Sequence, residues 1–247
     1  MTKHIKNKFL KKNYNDMHKI TNYCRLCLNT KIKVGLSLEK IPLPDLYSNT
    51  QSVAFEALKF PLSIGWCSKC KNVQTMEIIN PRFLWNNFSY FTGQTQSILE
   101  HFEDLSDYIV KKIPLKKSDL IIDIGSNDGS FLKLFQKRGL KVLGIDPSQN
   151  VARVAKKNGI ETWVNFFSSK IAKKINKQYP KAKIITIFNT FAHMENMRDM
   201  LKGINEIIDD NGVIIFECQY LSDIYKNKIL GTFFHEHMYH HSVTSLN

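Results

Sequence analysis

The stretch Leu120-Ile121-Ile122-Asp123-Ile124-Gly125-Ser126-Asn127-Asp128-Gly129-Ser130-Phe131 constrains the fold more than any other. An apolar run ends in an acid, a glycine turn follows, and the pattern then becomes helical, as when a buried parallel strand feeds a crossover helix. The glycines are spaced G-x-x-x-G. Close approach of a dinucleotide pyrophosphate to a helix N-terminus requires G-x-G-x-x-G instead, so the turn points to a cofactor without phosphates. Gly144-Ile145-Asp146-Pro147 closes a second short apolar run that begins at Val142. It falls where the second parallel strand of a doubly wound sheet ends, and a carboxylate there can accept hydrogen bonds from both ribose hydroxyls. Tight turns need glycine for backbone reasons whatever they bind; the second acid in register adds the ligand.

The alternation around these segments is regular. Strands are predicted at 119–124, 141–145, 160–165, 183–188 and 212–218, with helices at 128–138, 148–157, 168–175 and 196–208. This is the order of a parallel sheet with crossover helices, an α/β doubly wound fold over residues 116–247. Asp128 starts the first helix, and the Asp210-Asn211-Gly212 turn admits the last strand. Ahead of the sheet, Ile98, Phe102, Leu105 and Ile109 share one face behind Trp85, Tyr90 and Phe91, which predicts a helical linker over 81–115.

Residues 21–80 read differently. Cys24-Arg25-Leu26-Cys27 is followed, after thirty-nine intervening residues, by Cys67-Ser68-Lys69-Cys70, with Pro42, Pro44 and Pro61 between them. Each CxxC turn directs two thiolates at one point, and two turns complete the tetrahedral shell of structural zinc with no open position. A redox CxxC occurs once beside a βαβ unit, and disulfides do not suit a cytosolic chain. Cys218, the fifth cysteine, ends an apolar strand pattern and reads as a buried thiol.

Composition sets the remaining bounds. A chain of 247 residues that is 43% apolar and 23% charged can bury an ordinary core. Residues 1–20 are polar and basic, with Lys3, Lys6, Lys8, Lys11 and Lys12 and no signal-peptide core, and read as a flexible arm. No apolar stretch approaches a membrane span, so a cytoplasmic protein is expected. The formal net charge of +13 would suit an anionic partner, but the surplus lysine is spread along the chain, and no RNA-binding signature with interleaved aromatics accompanies it. A nucleic-acid partner is not expected.

From Cys24 to its last residues the chain resembles the zinc-binding, S-adenosylmethionine-dependent sugar C-methyltransferases that act on nucleotide-linked 4-keto-6-deoxysugars. The resemblance rests on the four cysteines, on Tyr90-Phe91-Thr92-Gly93 followed by His101, and on the two acid-glycine segments already described. It also includes Phe166-Phe167, Asn189-Thr190-Phe191-Ala192-His193, and Phe234-His235-Glu236-His237 leading to Tyr239. It implies a class I, Rossmann-like methyltransferase sheet with S-adenosylmethionine held by Asp123, Gly125, Asn127, Asp128, Asp146, Pro147, Phe167 and Asn189. It places His193, Glu236 and His237 in the catalytic constellation with Tyr90 nearby. In that constellation His237 is assigned as base, Glu236 as its orienter or a ligand for substrate hydroxyls, and His193 as donor to the developing oxyanion.

Two departures accompany the resemblance. The family has tyrosine directly before its His-Glu-His, where this chain has Phe234. Family members also continue past the equivalent of Asn247 into further strands and a C-terminal domain, so the sheet is expected to be truncated after its fifth strand. Val213-Ile214-Ile215-Phe216 would then form an apolar edge, and oligomerisation or a second chain completing the sheet is expected. His235, His237, His240 and His241 are crowded but lack the H-E-x-x-H spacing, so a base with bystanders is favoured over a second metal. The acceptor expected is a small nucleotide-linked sugar or related capsule or lipopolysaccharide precursor. The alternatives are O-methylation of another activated capsule building block, including a phosphoryl or phosphoramidate group, and a non-catalytic module that is a truncated remnant or one subunit of a split enzyme.

Overall fold

The computed structural model describes residues 17–44, 49–55, 57–86 and 88–247. It divides into two compact units: residues up to Leu84 with Ala192–Glu195 and Gln219–Asn247, and Trp85–Phe191 with Asn196–Cys218. No helix among the described residues is long and apolar enough to cross a membrane.

In the second unit, five strands form one parallel sheet. They are β6 (Leu120–Ile124), β7 (Lys141–Asp146), β8 (Thr162–Val164), β9 (Ala182–Phe188) and β10 (Ile208–Glu217), in the order β10-β9-β6-β7-β8. Every residue of β6 is buried, which is why its sequence is a continuous apolar run instead of an alternation. The chain runs outward from β6 to β7 and β8, then returns to the other side for β9. This reversal places a topological switch point beside the carboxyl end of β6, where open α/β sheets bind ligands.

Four crossover helices, α4 (Ser130–Lys137), α5 (Gln149–Lys157), α6 (Ser169–Ile175) and α7 (Met197–Ile207), connect these strands in the predicted order. The expected linker is α3 (Gln96–Lys112), and it belongs to this unit's core. Phe102 and Ile109 of α3 are buried with Phe131 and Phe135 of α4, with Ile121 and Ile184 of the sheet, and with Phe188. The Phe102 ring lies 4.8 Å from Phe131 edge-on, and Phe131 lies 4.7 Å from Phe188.

The last strand differs in one respect from expectation. β10 begins at Ile208, directly off α7, and its register with β9 shifts between Ile208 and Val213. The expected Asp210-Asn211-Gly212 turn is thus an irregularity inside the strand; Lys183 Nζ donates to the Asn211 carbonyl at 2.7 Å. β10 pairs with β9 on one side, and Val213, Ile214 and Phe216 are 36%, 42% and 41% exposed, an apolar edge as the pattern implied. Cys218, just beyond it, is half-buried.

The first unit holds β1 (His18–Ile20), β2 (Ile32–Pro42), α1 (Gln51–Phe55), β3 (Lys59–Cys67), β4 (Val73–Thr75) and β5 (Glu77–Ile79). The basic arm expected over 1–20 lies outside the described residues as far as residue 16. Its last residues correct that boundary: Met17 is buried and β1 pairs antiparallel with β5. Residues 219–247, expected inside the methyltransferase domain, group by backbone contact with the first unit. Here α8 (Leu221–Lys226), β11 (Tyr239–His240) and α9 (Val243–Leu246) belong to the first unit. β11 pairs antiparallel with β4, completing a sheet of order β11-β4-β3-β2. The pairing joins segments far apart in sequence, Tyr239 with Gln74 and His240 with Val73.

Candidate active site and metal centre

In the first unit the two CxxC turns meet. The Sγ atoms of Cys24, Cys27, Cys67 and Cys70 all lie within 4.8 Å of one another. Cys24 and Cys70 are 3.5 Å apart, and Cys27 and Cys67 3.6 Å. These separations are far beyond a disulfide bond, and close to the edge of about 3.8 Å in a tetrahedron of sulfurs 2.3 Å from zinc. Asn72 Nδ2 donates to Cys24 Sγ at 3.8 Å and Asn29 Nδ2 to Cys67 Sγ at 3.5 Å, the outer hydrogen bonds that orient thiolate ligands.

Burial pushes the Cys24 and Cys70 thiols up from their ordinary range. Burial also opposes ionisation of Cys67, but the backbone N–H groups of Cys70 and Lys69 and the Asn29 amide outweigh it and bring that thiol to about 6. Four thiolates gathered at one point require a cation, and the all-sulfur tetrahedral donor set fits zinc.

The same unit contains the histidine segment. His193, in the 3₁₀ turn Phe191–His193, and His237 have ring centroids 5.0 Å apart. Both imidazoles are tied by Nδ1 to backbone carbonyls: His193 donates to Glu236 at 2.9 Å, and His237 to Thr232 at 2.8 Å. A carbonyl only accepts, so each Nδ1 carries the proton and neutral His237 presents a bare Nε2. Burial lowers the His237 pKa below 6.5, and the Thr232 carbonyl opposes that shift. The Phe234 ring lies 4.0 Å from His237. Glu236 is buried, and its backbone carbonyl is what holds His193. His235 donates to the Pro61 carbonyl at 3.0 Å, and among the described residues no histidine cluster meets metal-site geometry.

In the second unit, Asp123, Gly125, Asn127, Asp128, Asp146 and Pro147 lie at the carboxyl ends of β6 and β7, whereas Phe167 follows β8 and Asn189 follows β9. Asp146 accepts from Asn127 N–H at 2.9 Å through Oδ2 and from Ser148 N–H at 2.8 Å through Oδ1, leaving each oxygen a lone pair for a ligand hydroxyl. Burial raises the Asp146 pKa, and these N–H donors counter it. Asp123 is fully buried and accepts from Thr186 Oγ at 2.7 Å; burial raises its pKa to about 7, and the neighbouring Asp146 charge adds to the shift. Ser126 Oγ is buried without a protein partner. Gly125 has φ +82, and a Cβ there would meet Thr190 Oγ1 at 2.0 Å, so both the backbone and the packing require glycine.

Asn127 and Asp128 serve a second segment. Asn127 Oδ1 accepts from Thr92 N–H at 3.1 Å, its Nδ2 donates to the Tyr90 carbonyl at 3.1 Å, and Asp128 Oδ2 accepts from Gly93 N–H at 2.8 Å. These bonds pin Tyr90–Gly93 to the glycine loop. Tyr90 itself is 41% exposed, donates to Thr95 Oγ1 at 3.2 Å, and belongs to this unit and not to that of the histidines. Pro147 is half-buried. Phe167 is buried, close enough that a Cβ on Gly203 of α7 would meet it at 3.1 Å, whereas Phe166 is 40% exposed. Asn189, at φ +49, donates from its N–H to the Glu217 carbonyl at 2.9 Å and from Nδ2 to Glu217 Oε1 at 3.2 Å. Glu217 also pairs with His101 Nε2 at 2.7 Å. Sequence reasoning had not singled out Thr186, Glu217 or Thr232, because each acts through a fold contact with no local motif.

Comparison with known proteins separates a zinc-binding stretch from a methyltransferase stretch that includes Ala192–Glu195 and Gln219–Asn247. A family model described as "Methyltransferase domain" matches residues 97–247, and one described as "Putative zinc binding domain" matches residues 24–85. The chain is 31% identical over 224 residues to the C-methyltransferase NovU of Streptomyces niveus, covering 90% of this chain and 53% of NovU. It is 27% identical over 150 residues to an uncharacterized methyltransferase of Alkaliphilus oremlandii, covering 58% of this chain and 66% of that protein. The chain therefore spans about half the length of NovU. Among solved structures, the plantazolicin methyltransferase BpumL in complex with SAH and a pentazolic analog aligns with TM-score 0.42 at 18% identity, over 59% of this chain and 52% of that one.

Proposed function

We propose, for a chain that belongs to the methyltransferase-domain family over residues 97–247, that it uses S-adenosylmethionine to methylate a carbon next to the ketone of a nucleotide-linked 4-keto-6-deoxysugar or related capsule or lipopolysaccharide precursor. The observation that carries this reading is the fixed tautomer of His237: a carbon acid needs a base, and the Thr232 carbonyl leaves Nε2 bare. The curated relative NovU is a C-methyltransferase, which supports carbon as the nucleophile.

S-adenosylmethionine, when bound, supplies a methyl group on a sulfonium. Asp146 accepts from its ribose hydroxyls, and Asp123, Gly125, Asn127, Asp128, Pro147, Phe167 and Asn189 shape the surrounding cradle. His237 Nε2 removes the proton from the acceptor carbon, and the C–H electron pair moves into an enolate. His193 has committed its Nδ1 proton to Glu236, so it donates to the enolate oxygen only as an imidazolium. The four-cysteine centre would hold zinc with no open position, so the metal itself offers the acceptor no coordination site.

Deuterium exchange tests the carbon-acid step. Incubated in D₂O with S-adenosylhomocysteine and a nucleotide 4-keto-6-deoxysugar, the protein is expected to place deuterium next to the ketone, and His237→Ala to abolish this. Supplied with S-adenosylmethionine, it should form a new carbon-bound methyl. Neither exchange nor C-methyl product would overturn the reading. One observation favours a second reading: Phe234, packed on His237, offers no hydroxyl where the family has tyrosine. Methyl transfer to an oxygen of another activated capsule building block, including a phosphoryl or phosphoramidate group, would proceed without exchange.

A further inference from the structure

Arg25 sits inside the first CxxC turn, directly after the metal-ligand position Cys24, and a basic residue there would ordinarily reach solvent. It is instead 6% exposed. Nη2 donates to the carbonyls of Thr75 at 2.8 Å and Met238 at 2.6 Å, with Thr75 Oγ1 at 3.3 Å. The guanidinium carbon stands 4.7 Å from the centre of the Tyr239 ring. Its backbone is held too: Arg25 N–H donates to Gln74 Oε1 at 3.0 Å, and Gln74 Nε2 returns a bond to the Tyr23 carbonyl at 3.0 Å.

Nε and Nη1 of Arg25 are buried without a hydrogen-bond partner. A buried guanidinium half satisfied in this way is costly unless a compensating negative charge is close. Zinc held by four thiolates carries two net negative charges, and Arg25 is covalently adjacent to one of those ligands. The cation is therefore matched to the loaded metal centre, while its hydrogen bonds reach away to the chain around Met238.

Met238 follows His237. Its carbonyl accepts from Arg25 and from Thr75 N–H at 3.1 Å, and its N–H donates to the Ala192 carbonyl at 2.9 Å, one residue before His193. We propose that Arg25 is a positioning residue that fixes the His237-Met238 backbone to the four-cysteine centre, so that the zinc module sets the place of the general base. This rests on His237 being the base. It gives the zinc module a role in the reaction, through a bridge of one side chain, although no metal ligand touches substrate.

The test uses the full chain with Arg25→Met and Arg25→Lys. Four quantities are read: zinc content, S-adenosylhomocysteine affinity, kcat and KM on the keto-sugar nucleotide, and hydrogen exchange at the Met238 amide. In Arg25→Met we expect zinc to be retained, cofactor affinity to stay within about twofold, Met238 exchange to accelerate at least about tenfold, and kcat to fall at least about tenfold with KM little changed. Arg25→Lys keeps the charge and one donor and should recover part of both losses. Chelation of zinc from the native chain should accelerate Met238 exchange as Arg25→Met does.

Unchanged exchange and kcat in Arg25→Met would overturn the proposal. So would loss of zinc or of cooperative melting in both variants, since Arg25 would then serve the folding of the metal module alone. His237→Ala separates the two layers. If that variant stays active, the assignment of the base fails. If it is inactive while Arg25→Met keeps native kcat, the base stands and the positioning role fails.

Discussion

At His237 burial and a backbone carbonyl pull the proton affinity in opposite directions, and burial wins. The imidazole is therefore neutral from below pH 6.5 upward, and the acid limb of kcat/KM is expected below 6.5 in a pH–rate profile. His237→Ala should lower kcat by about 10²–10⁴-fold with S-adenosylhomocysteine affinity nearly intact. Asp123 has the opposite sign. Its pKa is raised to about 7 from 3.8, so the folded state carries a penalty that grows as pH rises from about 4 to 7 and is complete above it. Asp123→Asn should thus stabilise the chain at pH 8, by up to about 4 kcal/mol, and much less at pH 4, in denaturant melts at the two pH values. The cysteines and the acids were legible in the sequence because ligand and cofactor spacing is local. Arg25 was not, because a basic residue between two cysteines carries no sign that it will be buried.

Among the elements, the strand-to-helix connection after β6 carries the tightest constraint. Gly125→Ala would combine a left-handed backbone with overlap onto Thr190 Oγ1. The expected result is a loss of about 1–2 kcal/mol or more in stability and at least a tenfold loss of S-adenosylhomocysteine affinity by calorimetry. The parallel sheet was readable strand by strand, since buried parallel strands are continuous apolar runs and each is followed by an amphipathic helix. Two elements were not. The register shift in β10 absorbs Asp210-Asn211-Gly212, whose composition signals a turn. β11 is a two-residue strand whose partner β4 is far away in sequence, and nothing in Tyr239-His240 announces that pairing.

For the whole molecule, sequence likeness and backbone contact divide the chain differently: the zinc-binding and methyltransferase stretches are 24–85 and 97–247, while contact groups two later segments with the first unit. Segments 192–195 and 219–247, with His193 and His237, fold with the four cysteines. Zinc removal should therefore do more than loosen an N-terminal appendage. Chelation is expected to release one zinc per chain and lower the melting temperature by about 10 °C or more, with retention of the native melting profile contradicting a structural metal. His235, His237 and His240 are all held below the ordinary histidine range, His240 at about 3, with burial as the first cause in each case. Their contribution to stability is complete above pH 6.5 and is lost as pH falls from there toward about 3, so melts at pH 5 should lie below those at pH 7.5.

Every catalytic statement depends on a formed cofactor cradle at Asp123, Gly125, Asn127 and Asp146. Calorimetric titration of the 247-residue protein with S-adenosylhomocysteine tests this most directly. Binding in the micromolar range, weakened at least about tenfold by Asp146→Asn and not by His237→Ala, is the expected result. Absence of binding, or equal weakening by both substitutions, would contradict a cofactor cradle built around Asp146 and independent of His237.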